Sequence, residues 1–75
     1  MRKYIDVVVL NKTTGEIKPL FIIHQGVKYK ITHSICKGTR PSAIGWFGVQ
    51  YIIKLENNKE ALIYYDDLRK SWFIE

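Results

Sequence analysis

The segment IKPLFIIHQGVKYKITHSI, residues 17–35, decides how this chain folds. Gln25-Gly26 interrupts two runs rich in β-branched and aromatic residues. A glycine there supplies the positive φ that a two-residue hairpin turn requires. The turn sets a register in which His24 faces Val27, Ile22 faces Tyr29 and Leu20 faces Ile31. These residues share one side, mostly apolar. Phe21 and Ile23 lie on the other side beside Lys28 and Lys30. Pro19 stands near the start of the first strand, where a missing N–H is tolerated.

The flanking sequence repeats the pattern. Upstream, KYIDVVVL (residues 3–10) is rich in β-branched residues and alternates, with Ile5, Val7 and Val9 on one face. The polar stretch NKTTGE, residues 11–16, is a turn broken by Gly15. Downstream, CKGTRPSAIG (residues 36–45) is punctuated by Gly38, Pro41 and Gly45 and reads as a loop with room for one helical turn. VQYIIKL, residues 49–55, puts Val49, Tyr51, Ile53 and Leu55 on one face. Asn57-Asn58 suits a two-residue turn, which sets Ile53 against Leu62 and Tyr51 against Tyr64. Ala61, Ile63 and Tyr65 then fall on the opposite side. DDLRKS forms the last turn, and WFIE closes the chain with Trp72 and Ile74 on one side and Phe73 on the other.

Five to six short antiparallel strands in 75 residues are too few for a two-sheet sandwich. Closure into a barrel hides the sheet edges. The expected fold is therefore all-β: a small antiparallel β-barrel, SH3-like or OB-like, formed by residues 1–75 as a single domain. A chain of this size buries only about 60% of its unfolded surface, but 47% apolar residues suffice for a core. The lone Cys36 rules out an internal disulfide and points to a reducing, cytoplasmic setting. The run Val7–Leu10 is too short for a signal peptide or a membrane span. No membrane partner is expected.

The net charge of +5 is unevenly spread. Residues 1–55 carry a balance of +7 and residues 56–75 a balance of −2. Between Lys18 and Arg40 there are five cations and no acid. Such asymmetry favours association with polyanions. Tyr29, Tyr51, Tyr64 and Trp72 are in phase with aliphatic neighbours and belong to the core or its rim. Phe21, Tyr65 and Phe73 are out of phase, and Trp46 and Phe47 cannot be set by alternation. Phe21 and Ile23 interleaved with Lys28 and Lys30 form the most unusual surface. Aromatics that stack on bases beside cations that follow phosphates are the usual means of single-strand binding. The candidate nucleic-acid-binding residues are Lys18, Phe21, Lys28, Lys30, Lys37, Arg40 and Trp46. The competing reading is a protein-interaction module that uses the same strip, with the charge serving solubility.

Other chemistry is poorly provided for. His24, His33 and Cys36 are too few to hold a structural metal, which takes four ligands. His33 and Cys36 are three apart on a strand and point to opposite faces, so Cys36 lacks a base; a buried or half-buried free thiol is its expected fate. Asp66 and Asp67 suit a turn. KGTRPS offers loop N–H groups for a phosphate but lacks the P-loop spacing and following helix. No catalytic residue, metal or cofactor is expected.

Certain elements form a recognisable set: Pro19, the Gly26 turn, KYKI at residues 28–31, and YYDDLRKSWFIE at residues 64–75. On these, residues 19–75 resemble a group of short bacterial all-β proteins of unknown function, some encoded near translesion polymerase genes. The resemblance implies a DNA-repair setting and supplies no catalytic residue. The chain departs from it at His24, where similar proteins often carry Trp.

Overall fold

In the computed structural model, which describes residues 3–41 and 47–74, the Gln25-Gly26 turn forms as the sequence dictates. Both residues have positive φ, 51° and 76°, the signature of a type I′ hairpin. The turn joins β2 (Ile17–His24) to β3 (Val27–Pro41), with His24 opposite Val27 and Ile22 opposite Tyr29. β1 (Lys3–Asn11) precedes them; β4 (Phe47–Leu55), β5 (Glu60–Asp66) and β6 (Ser71–Ile74) follow. Each strand is antiparallel to the next, and β6 pairs back onto β1, closing a barrel in sequence order. Among the described residues no helix is long and apolar enough to cross a membrane.

The inner face holds Ile5, Ile22, Ile31, Tyr51, Ile53, Ile63 and Trp72 as a buried cluster, with Val7, Val9, Ile17, Val49, Leu55 and Tyr65 packed on it. Trp72 sits between two tyrosines, its ring 5.2 Å from Tyr51 and 4.9 Å from Tyr65. Such tilted pairs contribute about 0.5–1.5 kcal/mol each beyond burial. A smaller cluster lies on the outside of the sheet. Tyr64 and Phe73 stack 5.1 Å apart, Gln50 Nε2 donates to the Tyr64 hydroxyl at 3.0 Å, and Gly48 is buried beside them.

Three departures from the sequence reading share a cause, an extra residue in a strand or turn. First, Val8 pairs with Phe21 and Val9 with Pro19, which leaves Leu20 as a bulge. The bulge restores Pro19 and Ile17 to the inner phase, and the β2–β3 ladder ends at Phe21–Lys30 before Leu20 can meet Ile31. Second, the β4–β5 turn holds Glu56, Asn57 and Asn58, with Asn58 at φ 66° and the Leu55 N–H donating to the Lys59 carbonyl. A three-residue turn of this kind ends in a left-handed residue. It slips the register by one, so Ile53 faces Ala61 and Tyr51 faces Ile63. A one-residue slip exchanges faces. Ile63 is fully buried, Tyr65 turns inward and Leu62 is 47% exposed.

Third, Cys36–Pro41 continues β3 and is no loop. A bulge between Cys36 and Gly38, with Gly38 at φ 77°, absorbs the glycine. Pro41 ends the strand, where its missing N–H is harmless. Residues 42–46, including Trp46, lie outside the described residues.

Candidate nucleic-acid interface

The outer face of β1–β3 is laid down in cross-strand rows. Asp6, Ile23 and Lys28 form one row; Val8, Phe21 and Lys30 form the next; Leu10 pairs with Lys18 beyond them. The Leu20 bulge matters here. It turns Lys18 outward while Pro19 goes in, so Lys18 joins the face that carries Phe21. Lys28 reaches diagonally to Phe21, its Nζ 4.2 Å from the ring centroid. Diagonal neighbours on a sheet are within reach of long side chains, and an exposed cation–π contact of this kind contributes about 0.5–1 kcal/mol.

Ion pairing elsewhere sharpens the contrast. Lys12 pairs with Glu16 at 3.3 Å, Arg69 with Asp66 at 3.1 Å and Lys70 with Asp67 at 3.2 Å, all within turns. Lys18, Lys28, Lys30, Lys37 and Arg40 take part in no ion pair among the described residues. Asp66 shows what the turn carboxylates do. Its Oδ1 accepts from the Leu68 and Arg69 N–H groups and its Oδ2 from the Arg69 guanidinium. Burial pulls its pKa upward, but the hydrogen bonds and charge of Arg69 outweigh that and hold it below the usual range.

The structure brings together Lys18, Phe21, Lys28 and Lys30. It does not bring Lys37 and Arg40 to them. At about 3.3 Å per residue, Arg40 is up to about 30 Å along β3 from Lys30. Past Ile31, β3 pairs with β4 alone among the described residues. Lys37 is the extra residue of the bulge, and Arg40 and Pro41 follow it. Bulges, cations and prolines are how natural sheets keep an unpaired edge from recruiting another strand, and these residues fit that role. Lys37 and Arg40 therefore face solvent from a strand edge and not from a phosphate-cradling loop.

Cys36, expected to be buried or half-buried, is exposed. It pairs with Tyr51, while His33 pairs with Lys54 on the other face. Burial, and next the neighbouring Cys36 thiol, push the Tyr51 phenol up to about 12. Among the described residues no group of three metal-ligating side chains converges. A second surface row escaped the sequence reading. Ile35, Ile52 and Leu62 are register partners on the outside of β3–β5, with Ile35 57% exposed. Two shifts hid it: the turn slip moves Leu62 outward, and an extra residue at Thr32, between the Ile31–Leu55 and His33–Lys54 pairs, moves Ile35 outward. No family model, curated protein or solved structure matches the chain.

Proposed function

We propose that this chain is a non-enzymatic barrel that binds nucleic acid, single-stranded or without strong sequence preference, on the outer face of β1–β3. The supporting observation is a set of cations around Phe21 that have no carboxylate partner among the described residues. Lys18, Lys28 and Lys30 contact phosphates, and Phe21 stacks on a base. Stacking requires Lys28 to leave the ring, at about 0.5–1 kcal/mol. A stacked base returns about 1–3 kcal/mol, so the exchange is favourable. Lys37 and Arg40 add contacts only when a longer strand tracks along β3. The sequential strand order favours an SH3-like over a Greek-key OB-like barrel. The lone Cys36 adds a cytoplasmic setting to the proposal, and the resemblance of residues 19–75 to short bacterial all-β proteins adds a DNA-repair one.

Fluorescence anisotropy with a labelled single strand of about eight nucleotides tests it. Three phosphate contacts give a plot of log K against log salt with a slope of about −2. The pair Lys28→Ala, Lys30→Ala should flatten that slope by about 1.4. Phe21→Ala should weaken binding at an unchanged slope, and Lys37→Ala with Arg40→Ala should leave both nearly unaltered. No binding at low salt overturns the proposal. Capture of a protein partner by the same strip, insensitive to salt, would support the interaction-module reading instead.

A further inference from the structure

β1 has a partner on its second side over only part of its length. It pairs with β6 at Lys3–Ile5, and with β2 over Asp6–Asn11. Beyond Trp72 the chain turns away through Ser71 and Lys70 towards β5. The edge of β1 from Val7 to Asn11 therefore faces no strand among the described residues.

The direction of the backbone groups on that edge follows from the hairpin. A two-residue turn makes its flanking pair, His24 and Val27, exchange both hydrogen bonds, and alternation makes Ile22 and Tyr29 the next such pair. The Lys30 carbonyl accepts from the Glu56 N–H at 3.0 Å, on the side away from β2, which agrees with that phase. Ile23 and Phe21 then turn their backbone groups towards Asp6 and Val8. Val7 and Val9, between and beyond those, turn theirs to the open edge. Pro19 opposite Val9 is consistent, because proline has no N–H to give to a hydrogen-bonded pair.

A row of unpaired N–H and C=O groups is a template for another strand. Beside this one lies a cavity of about 450 Å³, within the range of binding pockets. Val7, Val9, Ile17, Tyr65 and Trp72 line its apolar depth, and Lys70 and Ser71 bound its end. Residues directly opposite each other on paired strands point to the same face. A strand added here would send its side chains opposite Val7 and Val9 into the cavity and the one between them outward.

We propose that this edge takes an extended segment of a partner protein, apolar at alternate positions and acidic at the end that reaches Lys12 and Lys18. Charge fixes the occupant. Among the described residues Lys18 faces outward beside Leu10 without an ion-pair partner, and Lys12 is held by an exposed pair with Glu16. The one carboxylate bounding the cavity, Asp6, lies at the opposite end. The chain carries +5 overall, which disfavours a second copy. The added strand gains main-chain hydrogen bonds for affinity and pocket filling for specificity. It lies on the side of β1 away from β2, so it engages only Lys18 of the Phe21 face and leaves Phe21, Lys28 and Lys30 open.

The test is amide NMR of the labelled protein with the blocked peptide Ac-Thr-Glu-Val-Thr-Val-Thr-NH2, carried to about 5 mM. Shifts at Val7–Asn11 and Lys70–Trp72, with slowed amide exchange at Val7 and Val9, are expected. A side-chain contact alone would not slow those amides. Replacing both peptide valines by threonine should weaken binding at least about tenfold, and exchanging its Glu for Lys about threefold. Absent shifts, shifts confined elsewhere, or equal binding of the threonine peptide overturn the proposal. Concentration-dependent shifts at the same amides without peptide would also overturn it, by assigning the edge to a second copy.

Discussion

Gly48→Ala is the substitution that most directly probes how β4 lies over β5 and β6. A Cβ at residue 48 would stand 3.0 Å from the Tyr65 carbonyl oxygen, 3.2 Å from Tyr64 Cβ and 3.3 Å from Phe73 Cε1. None of these is the free end of a flexible side chain. Tyr65 pairs with Val49 in the ladder, and Phe73 is fully buried and stacked on Tyr64. The methyl therefore overpacks the site, at about 1–3 kcal/mol. Replacing glycine in a strand returns roughly 0.5–1 kcal/mol of backbone entropy. The net loss is roughly 1–2 kcal/mol, a large share of the few kcal/mol available to a domain this small. Urea unfolding followed by tryptophan fluorescence should show a lower midpoint at unchanged slope. A thermal scan should fall by about 5–15 °C. A variant within about 0.5 kcal/mol of the parent would mean that β4 does not approach Tyr65 this closely, and the packing described for the outer cluster would be wrong.

Three further outcomes follow from the same geometry. Ile63→Ala should cost about 2–5 kcal/mol and Leu62→Ala under about 1 kcal/mol by urea unfolding; the reverse order would restore the two-residue Asn57-Asn58 turn. The Tyr51 phenol ionises near 10 when unfolded and at about 12 when folded, so the folded state favours the neutral form. That contribution is complete below pH 10 and lost as pH rises towards 12, an effect of roughly 1–2 kcal/mol that Tyr51→Phe should abolish in alkaline melts. Gln25→Asn should stabilise the hairpin by about 0.5–1 kcal/mol, because asparagine tolerates the left-handed conformation better; a thermal scan checks it.

The hairpin at Gln25-Gly26 was readable because glycine at a positive-φ position and alternation on both sides agree. The inward set of β4 was readable for the same reason. Bulges were not. Leu20, Thr32 and Lys37 carry no local mark that distinguishes an extra residue from an ordinary one, and each shifts the phase of what precedes or follows it. The Asn58 turn failed similarly: Asn-Asn fits two-residue and three-residue turns alike, and the choice is made by whether Ile63 or Leu62 fills the barrel. Gly38 and Pro41 read as breakers, yet a bulge and a strand end accommodate them. On the candidate site, Phe21, Lys28 and Lys30 were legible since they flank the one secure turn. Lys18 was legible by its charge, but its place beside Phe21 depended on the Leu20 bulge, and the separation of Lys37 and Arg40 depended on the length of β3.

The shortest strand has the widest consequence. Adjacent residues of β6 serve opposite sides of the sheet: Trp72 belongs to the inner cluster and Phe73 to the outer one, while the strand also joins β5 to β1. Detaching β6 would therefore dissolve both clusters and open the ring in one event. Local opening short of that has little to gain, so the amides of β6 should exchange with solvent only as fast as the whole molecule unfolds, despite lying in the smallest element. Four residues thus set the cooperativity of the entire chain.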